Sequence, residues 1–191
     1  MKLIVGLGNP GLIYAASRHN IGFVILKSLV GSLKINFKRD SLVSSLVAKE
    51  KLFGEDVVFA MPQRYMNLSG IVVKALLKKF KLNEKDLLVV CDDLDLELGE
   101  IKIRPQGSSG GQRGLASIIE YLGSKDFCRL RIGISRPRRA QDAAKYVLAG
   151  FLRQEKPLVK QIEAIAVNCC LSWVENGIMP TMNKFNKNLI C

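Results

Sequence analysis

The sequence predicts one α/β domain with a central sheet, spanning residues 1–191. The length of 191 residues fits one ordinary domain, and a hydrophobic content of 48% is sufficient for a buried core. Short apolar runs of strand length alternate with longer segments of helical spacing. No repeat, linker or change of composition separates them, so the strands and helices are expected to share one core.

The first half of the chain predicts three strands and two helices. An apolar run at 2–8 predicts a buried strand that ends in a glycine turn. The spacing of apolar residues predicts helices over 19–30 and 72–80, the second with lysines on its solvent side. Two further strands, 42–50 and 55–61, are expected to be joined by a short turn.

The second half predicts three more strands and two helices. LLVVCDD, residues 87–93, is a buried strand that runs into two carboxylates, and 100–105 and 129–135 alternate as half-buried strands. The glycine-rich loop 106–115 leads into a helix that continues through Leu122. A long helix with Pro157 in its first turn and Gly177 at its end carries one apolar stripe: Val159, Ile162, Ile165, Ala166, Cys169 and Trp173.

The charge favours an acidic partner. The net charge is +12 and the isoelectric point is about 9.7. Such an excess of lysine and arginine is typical of proteins that bind nucleic acid. The alternative at this point is a generally solvated basic surface without a specific partner.

The cysteines disfavour a zinc site and a secreted protein. The five cysteines form no CxxC pair, and the chain has one histidine. Their odd number and scattered positions, with no signal peptide, favour a reducing cytoplasm. No apolar run reaches the roughly 18 residues that a membrane-spanning helix needs.

His19, in RHNIGF, is the only histidine in the chain. One interpretation is a hydrogen-bonded residue near the start of a helix. The other is a general base, because imidazole ordinarily has a pKa of about 6.5 and accepts protons near neutral pH. The remaining motifs must decide between these interpretations.

GLGNPG, residues 6–11, fits the G-x-G-x-x-G pattern of dinucleotide-binding turns. That pattern requires an acidic residue about 20 positions later, but none occurs before Asp40. Pro10 also restricts Asn9 to an extended backbone, unlike a turn that binds phosphate. The alternative is that the turn presents the Asn9 amide, which has both donors and an acceptor, at the end of a strand.

Two other motifs permit more than one interpretation. In RYMNLSG, Asn67 or Ser69 fits the cap of a following helix. In CDDLDL, residues 91–96, the three carboxylates fit a metal site, or one of them could orient a histidine and stabilise its charged form. Spacing alone does not determine which aspartate reaches His19.

Together these segments resemble the bacterial-type peptidyl-tRNA hydrolases. The resemblance covers essentially the whole chain. Each motif alone is weak, but seven of them in the same order are specific. The seven are GLGNPG, Tyr14, RHNIGF, YMNLSG, DDLDLELG, the GGxxGL loop and RLRIGISRP, and the resemblance continues through KFN at 184–186.

The resemblance implies a three-layer α/β/α sandwich around a twisted mixed sheet. It implies hydrolysis of the ester between a peptide and the 3′-terminal ribose of tRNA, which frees the tRNA for translation. His19 then corresponds to the catalytic histidine, and Asp92 to its supporting carboxylate. Four further positions correspond to substrate contacts: Asn9, Tyr14, Tyr65 and Asn67.

The implied partner is peptidyl-tRNA, bound by its acceptor stem and 3′ end. The resemblance implies a cytoplasmic monomer without a metal or cofactor. Arg104 and Arg131 correspond to residues that bind the terminal phosphate, and Lys102 is a further candidate. Four other basic residues are weaker candidates: Arg136, Arg138, Arg139 and Lys145. A non-catalytic RNA-binding factor on the same fold is the alternative function.

One segment departs from the family pattern. The loop usually reads GGHNGL in the family, whereas here it reads GGQRGL. Gln112 therefore replaces a histidine, and Arg113 replaces an asparagine at a substrate-binding position. Arginine offers five donors and no acceptor, so Arg113 is expected either to contact a tRNA phosphate near the 3′ end or to point into solvent.

Overall fold

The computed structural model describes residues 1–137 and 142–186. Its centre is a seven-stranded mixed sheet with the order β2-β3-β4-β1-β5-β7-β6. Strands β4, β1, β5 and β7 run parallel, whereas β2, β3 and β6 pair antiparallel with their neighbours. The strands are β1 Lys2–Gly6, β2 Lys38–Asp40, β3 Ser45–Leu52, β4 Glu55–Pro62, β5 Leu87–Asp93, β6 Ile101–Arg104 and β7 Cys128–Gly133.

Helices cover both faces of the sheet. The helices are α1 Ile21–Ser32, α2 Ser69–Phe80, α3 Arg113–Leu122, α4 Ala143–Leu148, α5 Lys156–Asn176 and α6 Ile178–Phe185. Helices α1, α5 and α6 pack on one face around Ile4, Phe59 and Leu130. Helices α2 and α3 pack on the other face around Leu3 and Val89. The predicted three-layer α/β/α sandwich is therefore confirmed.

The parallel strands bring the ends of β1 and β5 together. Leu3 to Gly6 of β1 lie beside Leu87 to Val90 of β5, in the same direction. Loops that follow neighbouring parallel strands emerge at the same edge of the sheet. Asn9, shortly after β1, and Asp92, at the end of β5, therefore lie at one edge.

The observed elements differ from the predicted ones mainly at their ends. Helix α1 begins at Ile21 rather than residue 19, because Arg18–Asn20 form a 3₁₀ turn. Strand β3 begins at Ser45 rather than residue 42, because Ser41–Val43 form another 3₁₀ turn. The sequence did not predict the three-residue strand β2 or the short helices α4 and α6, which have too few residues to show a clear period.

Glycine allows α1 to pack directly on the sheet. A Cβ atom on Gly22 would lie 2.4 Å from the Val90 carbonyl oxygen and 2.5 Å from the Leu7 nitrogen. A Cβ atom on Gly6 would lie 2.4 Å from the Gly22 carbonyl oxygen. The backbones of helix and strands therefore touch, two residues after the 3₁₀ turn that contains His19.

This close packing predicts that Gly22→Ala destabilises the fold. The added methyl group must displace α1 from β1 and β5, and overpacking of this kind typically costs about 1–3 kcal/mol. Denaturant unfolding would measure the loss. Gly31 is the matched control, because it lies in the same helix with nothing within 4 Å of the added methyl group. Gly31→Ala is expected to stabilise the protein by about 0.5–1 kcal/mol, and equal effects of the two substitutions would contradict the prediction.

Candidate active site

A cavity of about 580 Å³ opens at the edge where β1 and β5 end. Its lining comes from seven separate segments of the chain and contains both titratable and neutral polar side chains. Six of the residues predicted from the sequence lie in it: Asn9, His19, Tyr65, Asn67, Asp92 and Arg113. The fold thus brings together residues that are up to 104 positions apart.

His19 and Asp92 form a buried pair in this cavity. His19 Nδ1 lies 2.8 Å from Asp92 Oδ2, and both side chains are at most one-tenth exposed. A carboxylate oxygen accepts hydrogen bonds, so in the neutral ring the proton belongs on Nδ1 and the lone pair on Nε2. This is the arrangement that a histidine needs to accept a proton from a water molecule in the cavity.

The other two aspartates of CDDLDL have partners of their own. Asp93 forms an ion pair with Arg131, and Asp95 accepts from Arg136 Nε at 2.9 Å. Asp92 and Asp93 are successive residues of β5, so their side chains point to opposite faces of the sheet. Among residues 1–137 and 142–186, no three histidine, cysteine or acidic side chains are grouped as metal ligands would be.

Cys91 is next to Asp92 in sequence but faces the core. It is completely buried among residues that pack under α2 and α3. Burial, and then the neighbouring carboxylate of Asp92, raise the pKa of the Cys91 thiol well above its usual range. The thiolate needed for nucleophilic attack is therefore disfavoured at this position.

The Asn9 amide is held in one orientation. Its Oδ1 accepts a hydrogen bond of 2.8 Å from the Met66 backbone nitrogen. Since that oxygen is occupied, the Nδ2 group remains as the donor on the side of the cavity. Asn20 fixes the Asn9 backbone by accepting from its nitrogen at 2.8 Å and donating to its oxygen at 2.9 Å. The sequence analysis assigned no role to Asn20, although it lies within RHNIGF.

Gln112 also lines the cavity and was not predicted as a site residue. Its Nε2 donates a 3.0 Å hydrogen bond to Asp92 Oδ1, the carboxylate oxygen that His19 leaves free. Its Oε1 accepts from the Leu115 backbone nitrogen at 2.8 Å and caps α3. The sequence indicated only that Gln112 is a polar residue immediately before a helix and that it replaces a histidine of the family loop.

The predicted substrate contacts do not all line the cavity. Tyr65 and Asn67 are exposed on one side of the cavity, and Arg113 is exposed at the first residue of α3. Tyr14 lies in a 3₁₀ turn, Leu12–Tyr14, and the cavity lining does not include it. Tyr14 is therefore the one predicted substrate contact outside the cavity lining.

The predicted phosphate contacts lie on β6 and β7. Lys102 pairs with Arg131 and Arg104 with Arg129 across the two strands, so all four side chains share one face of the sheet. Arg129 is buried and donates to the backbone oxygens of Gly107 and Ser108. Of the weaker candidates, Arg136 pairs with Asp95 and Lys145 is exposed on α4, while Arg138 and Arg139 lie outside the described residues.

Arg18 anchors the segment that follows α4. Its side chain is buried, donates to the Gly150 oxygen and pairs with Glu155 Oε2 at 2.7 Å. The guanidinium also stacks on the rings of Tyr146 and Phe151, at 4.5 and 4.8 Å from their centroids. Since Arg18 directly precedes His19, the wall of the cavity formed by α4 is attached next to the histidine.

Comparison with known proteins identifies a family. The profile of the family described as peptidyl-tRNA hydrolase matches residues 3–190. The chain belongs to the peptidyl-tRNA hydrolase family. The family's enzyme from Desulforudis audaxviator is 47% identical over 97% of this chain and 93% of its own length. The one from Aquifex aeolicus is 45% identical over 92% of this chain and 91% of its own length.

Solved structures of the family have the same fold. The crystal structure of peptidyl-tRNA hydrolase from Acinetobacter baumannii superimposes with a TM-score of 0.91 at 32% identity. The match covers 98% of this chain and 95% of that one.

In the described part of the chain, no helix combines the length and the apolar character needed to cross a membrane.

Proposed function

We propose that this chain hydrolyses the ester between the peptide and the 3′-terminal ribose of peptidyl-tRNA, with His19 as general base. Membership of the peptidyl-tRNA hydrolase family supports the reaction. The observation that supports the residue assignment is the hydrogen bond between His19 Nδ1 and Asp92 Oδ2 on the lining of a polar cavity.

The proposed reaction uses one water molecule and no covalent enzyme intermediate. His19 Nε2 takes a proton from water as the water oxygen attacks the ester carbonyl carbon. Asp92 stabilises the imidazolium that results. As the carbon–oxygen bond to the ribose breaks, the imidazolium returns the proton to the ribose oxygen. The products are a peptide carboxylic acid, which ionises, and tRNA with a free 3′ end.

Asn9 is the proposed donor to the ester oxygen. Its Nδ2 group is held towards the cavity because Met66 occupies its Oδ1. A fixed donor stabilises the negative charge that develops on the carbonyl oxygen during attack. Tyr65 and Asn67 are the proposed contacts to the peptide end, and Tyr14 is a contact further from the ester. Arg113, exposed beside the cavity, is the proposed contact to an anionic group near the 3′ end.

The decisive experiment is hydrolysis of N-blocked aminoacyl-tRNA by the purified protein. Release of free tRNA would support the proposal. Binding of tRNA without ester cleavage would instead favour the alternative, a non-catalytic RNA-binding factor. The alternative does not account for a buried histidine–carboxylate pair whose second ring nitrogen is free of protein partners among the described residues.

Arg104→Ala is expected to weaken tRNA binding and to make the affinity for tRNA less dependent on salt concentration. Arg104 has no ion-pair partner among residues 1–137 and 142–186, whereas Arg131 is paired with Asp93. Loss of one phosphate contact should reduce the slope of log affinity against log salt by about one. Filter binding at several salt concentrations would measure the slope. Lys27→Ala, on the exposed side of α1, is the control, and equal slopes for the two variants would rule out this contact.

We also propose that the protein acts as a monomer in the cytoplasm. All residues assigned to the reaction come from one chain, so the cavity needs no second copy. Cys91, Cys128, Cys169 and Cys170 are buried free thiols, as expected in a reducing compartment. Sedimentation analysis at several concentrations would test the oligomeric state, and a concentration-independent dimer would contradict the proposal.

A further inference from the structure

Gln112 joins the start of α3 to the carboxylate of the His19–Asp92 pair. It is the N-cap residue of α3, and its Oε1 accepts from the Leu115 backbone nitrogen. Its Nε2 reaches Asp92 Oδ1 at 3.0 Å. One side chain thus has a structural contact at one end and a contact to the proposed catalytic machinery at the other.

The helix cap determines which end of the amide faces Asp92. A backbone N–H group only donates, so the atom of Gln112 that contacts Leu115 must be the oxygen. The NH₂ group must then face Asp92, whose Oδ1 has to accept. Asp92 Oδ2 accepts from His19 Nδ1 in the same way. The hydrogen bonds therefore have only one consistent set of directions: Leu115 donates to Gln112, and Gln112 and His19 both donate to Asp92.

We propose that Gln112 is a positioning residue for the reaction. It holds the Asp92 carboxylate as a double acceptor, and through Asp92 it keeps the proton of neutral His19 on Nδ1 and the lone pair on Nε2. The proposal rests on the function proposed above, since it concerns the same general base. It explains how this chain supports Asp92 with a glutamine in a loop that resembles GGHNGL.

The surroundings of Gln112 restrict it to this conformation. A Cβ atom on Gly114 would lie 3.0 Å from Gln112 Oε1 and 2.6 Å from Met66 Sδ. Gln112 Nε2 itself lies 3.4 Å from Met66 Sδ. The backbone nitrogen of the same methionine holds Asn9. Packing around Met66 therefore fixes the amide of Gln112 and the amide of Asn9 together.

A carboxamide differs from a histidine because it does not titrate. The donor that Gln112 offers to Asp92 is consequently independent of pH while the fold is intact. Other charged groups line the cavity: Asp93, which is paired with Arg131; Arg136, which is paired with Asp95; and Arg113 and Asp142. Arg18, paired with Glu155, directly precedes His19. All of these remain in the variants below, so differences between variants report on position 112.

The first test is Gln112→Ser. A serine at an N-cap still accepts from the helix backbone but is too short to reach Asp92, so the cap and the contact are separated. We expect a smaller fraction of neutral His19 to carry its proton on Nδ1. We also expect kcat to decrease on the order of tenfold, as for the loss of one hydrogen bond to a charged group. The melting temperature should change little.

The single histidine makes the tautomer directly measurable. Nitrogen NMR of a tag-free protein gives the protonation of both ring nitrogens of His19 without overlap and without substrate. This measurement keeps the proposal separate from the proposed function: the tautomer can change as expected even if the protein does not hydrolyse the ester. An unchanged tautomer and an unchanged kcat in Gln112→Ser would show that Gln112 only caps α3 and would overturn the proposal.

Gln112→Glu is the second test and keeps the length of the side chain. Its carboxylate can still accept from Leu115, but it faces Asp92 with an acceptor instead of a donor. Two carboxylates in contact disfavour each other's charge and favour a nearby positive charge. Either the titration midpoint of His19 should move to higher pH, or the introduced carboxyl group should take up a proton and donate to Asp92 as Gln112 does. An unchanged midpoint beside an ionised carboxylate at position 112 would overturn the proposal. Asp86→Ala removes a side-chain hydrogen bond to the Asn83 backbone nitrogen, outside the cavity lining, and should lower stability alone, by about 1 kcal/mol.

Discussion

His19→Ala is expected to lower kcat for N-blocked aminoacyl-tRNA by at least about 100-fold, the range for loss of a general base. No other histidine exists in the chain to replace it. Binding of tRNA should change little, because the substitution leaves intact the proposed phosphate contacts on β6 and β7 and the proposed contact of Arg113. Single-turnover hydrolysis and filter binding would measure the two effects separately.

His19→Asn is the matched variant for this experiment. The asparagine amide can still donate to Asp92, but it cannot accept a proton near neutral pH. It should lose as much activity as His19→Ala while it disturbs the packing less. Near-normal turnover by either variant would show that another group activates the water molecule.

Asp92→Asn is expected to lower kcat by at least about 100-fold, because it imposes the wrong tautomer on His19. Gln112 Nε2 donates to position 92, so the oxygen of the new amide must face Gln112 and its NH₂ group must face His19. Nδ1 then has to accept, and the proton moves to Nε2, where the base is needed. The corresponding substitution in a serine protease triad costs about 10⁴ in kcat.

Asp93→Asn is the control for this substitution, since Asp93 belongs to the ion pair with Arg131.

The double variant Asp92→Asn/Gln112→Glu provides a sharper test. The carboxylate introduced by Gln112→Glu would accept from the new amide, so the amide oxygen would turn to His19 and Nδ1 would carry the proton again. We expect kcat to recover at least about tenfold relative to Asp92→Asn alone. No recovery would contradict the direction of the hydrogen bonds described here.

The sequence predicted the principal elements because their patterns are local. The buried strand LLVVCDD and the apolar stripe of α5 are visible within ten to twenty residues. The motifs also indicated Asn9, His19 and Asp92, which the structure finds at one cavity. Spacing alone did not identify the partner of His19. That choice depends on strand alternation, which turns Asp92 towards α1 and Asp93 towards Arg131.

The role of Gln112 was not predictable for a different reason. In sequence it was only a replacement of the histidine expected in that loop. Its contact joins the end of β5 to the start of α3, 20 residues later, and depends on how the glycine-rich loop returns to the sheet. Arg129 holds that loop through the backbone oxygens of Gly107 and Ser108, an arrangement that no local pattern encodes.

The contacts of Arg18 bear on the range of peptides that the proposed active site would accept. Helix α4 has no buried residue, whereas the segment just after it is bound to Arg18 and to the backbone of Ser17. Elements with few buried contacts open locally at low cost. Within α4, Tyr146 alone is tied down, by stacking on Arg18 and donating to the Ile134 oxygen, so we expect the rest of the α4 wall to yield to peptide ends of different bulk while the neighbouring histidine keeps its position. Hydrogen exchange should accordingly be fast in Ala143–Leu148 and slow at the Arg18 amide, which donates to Ala149.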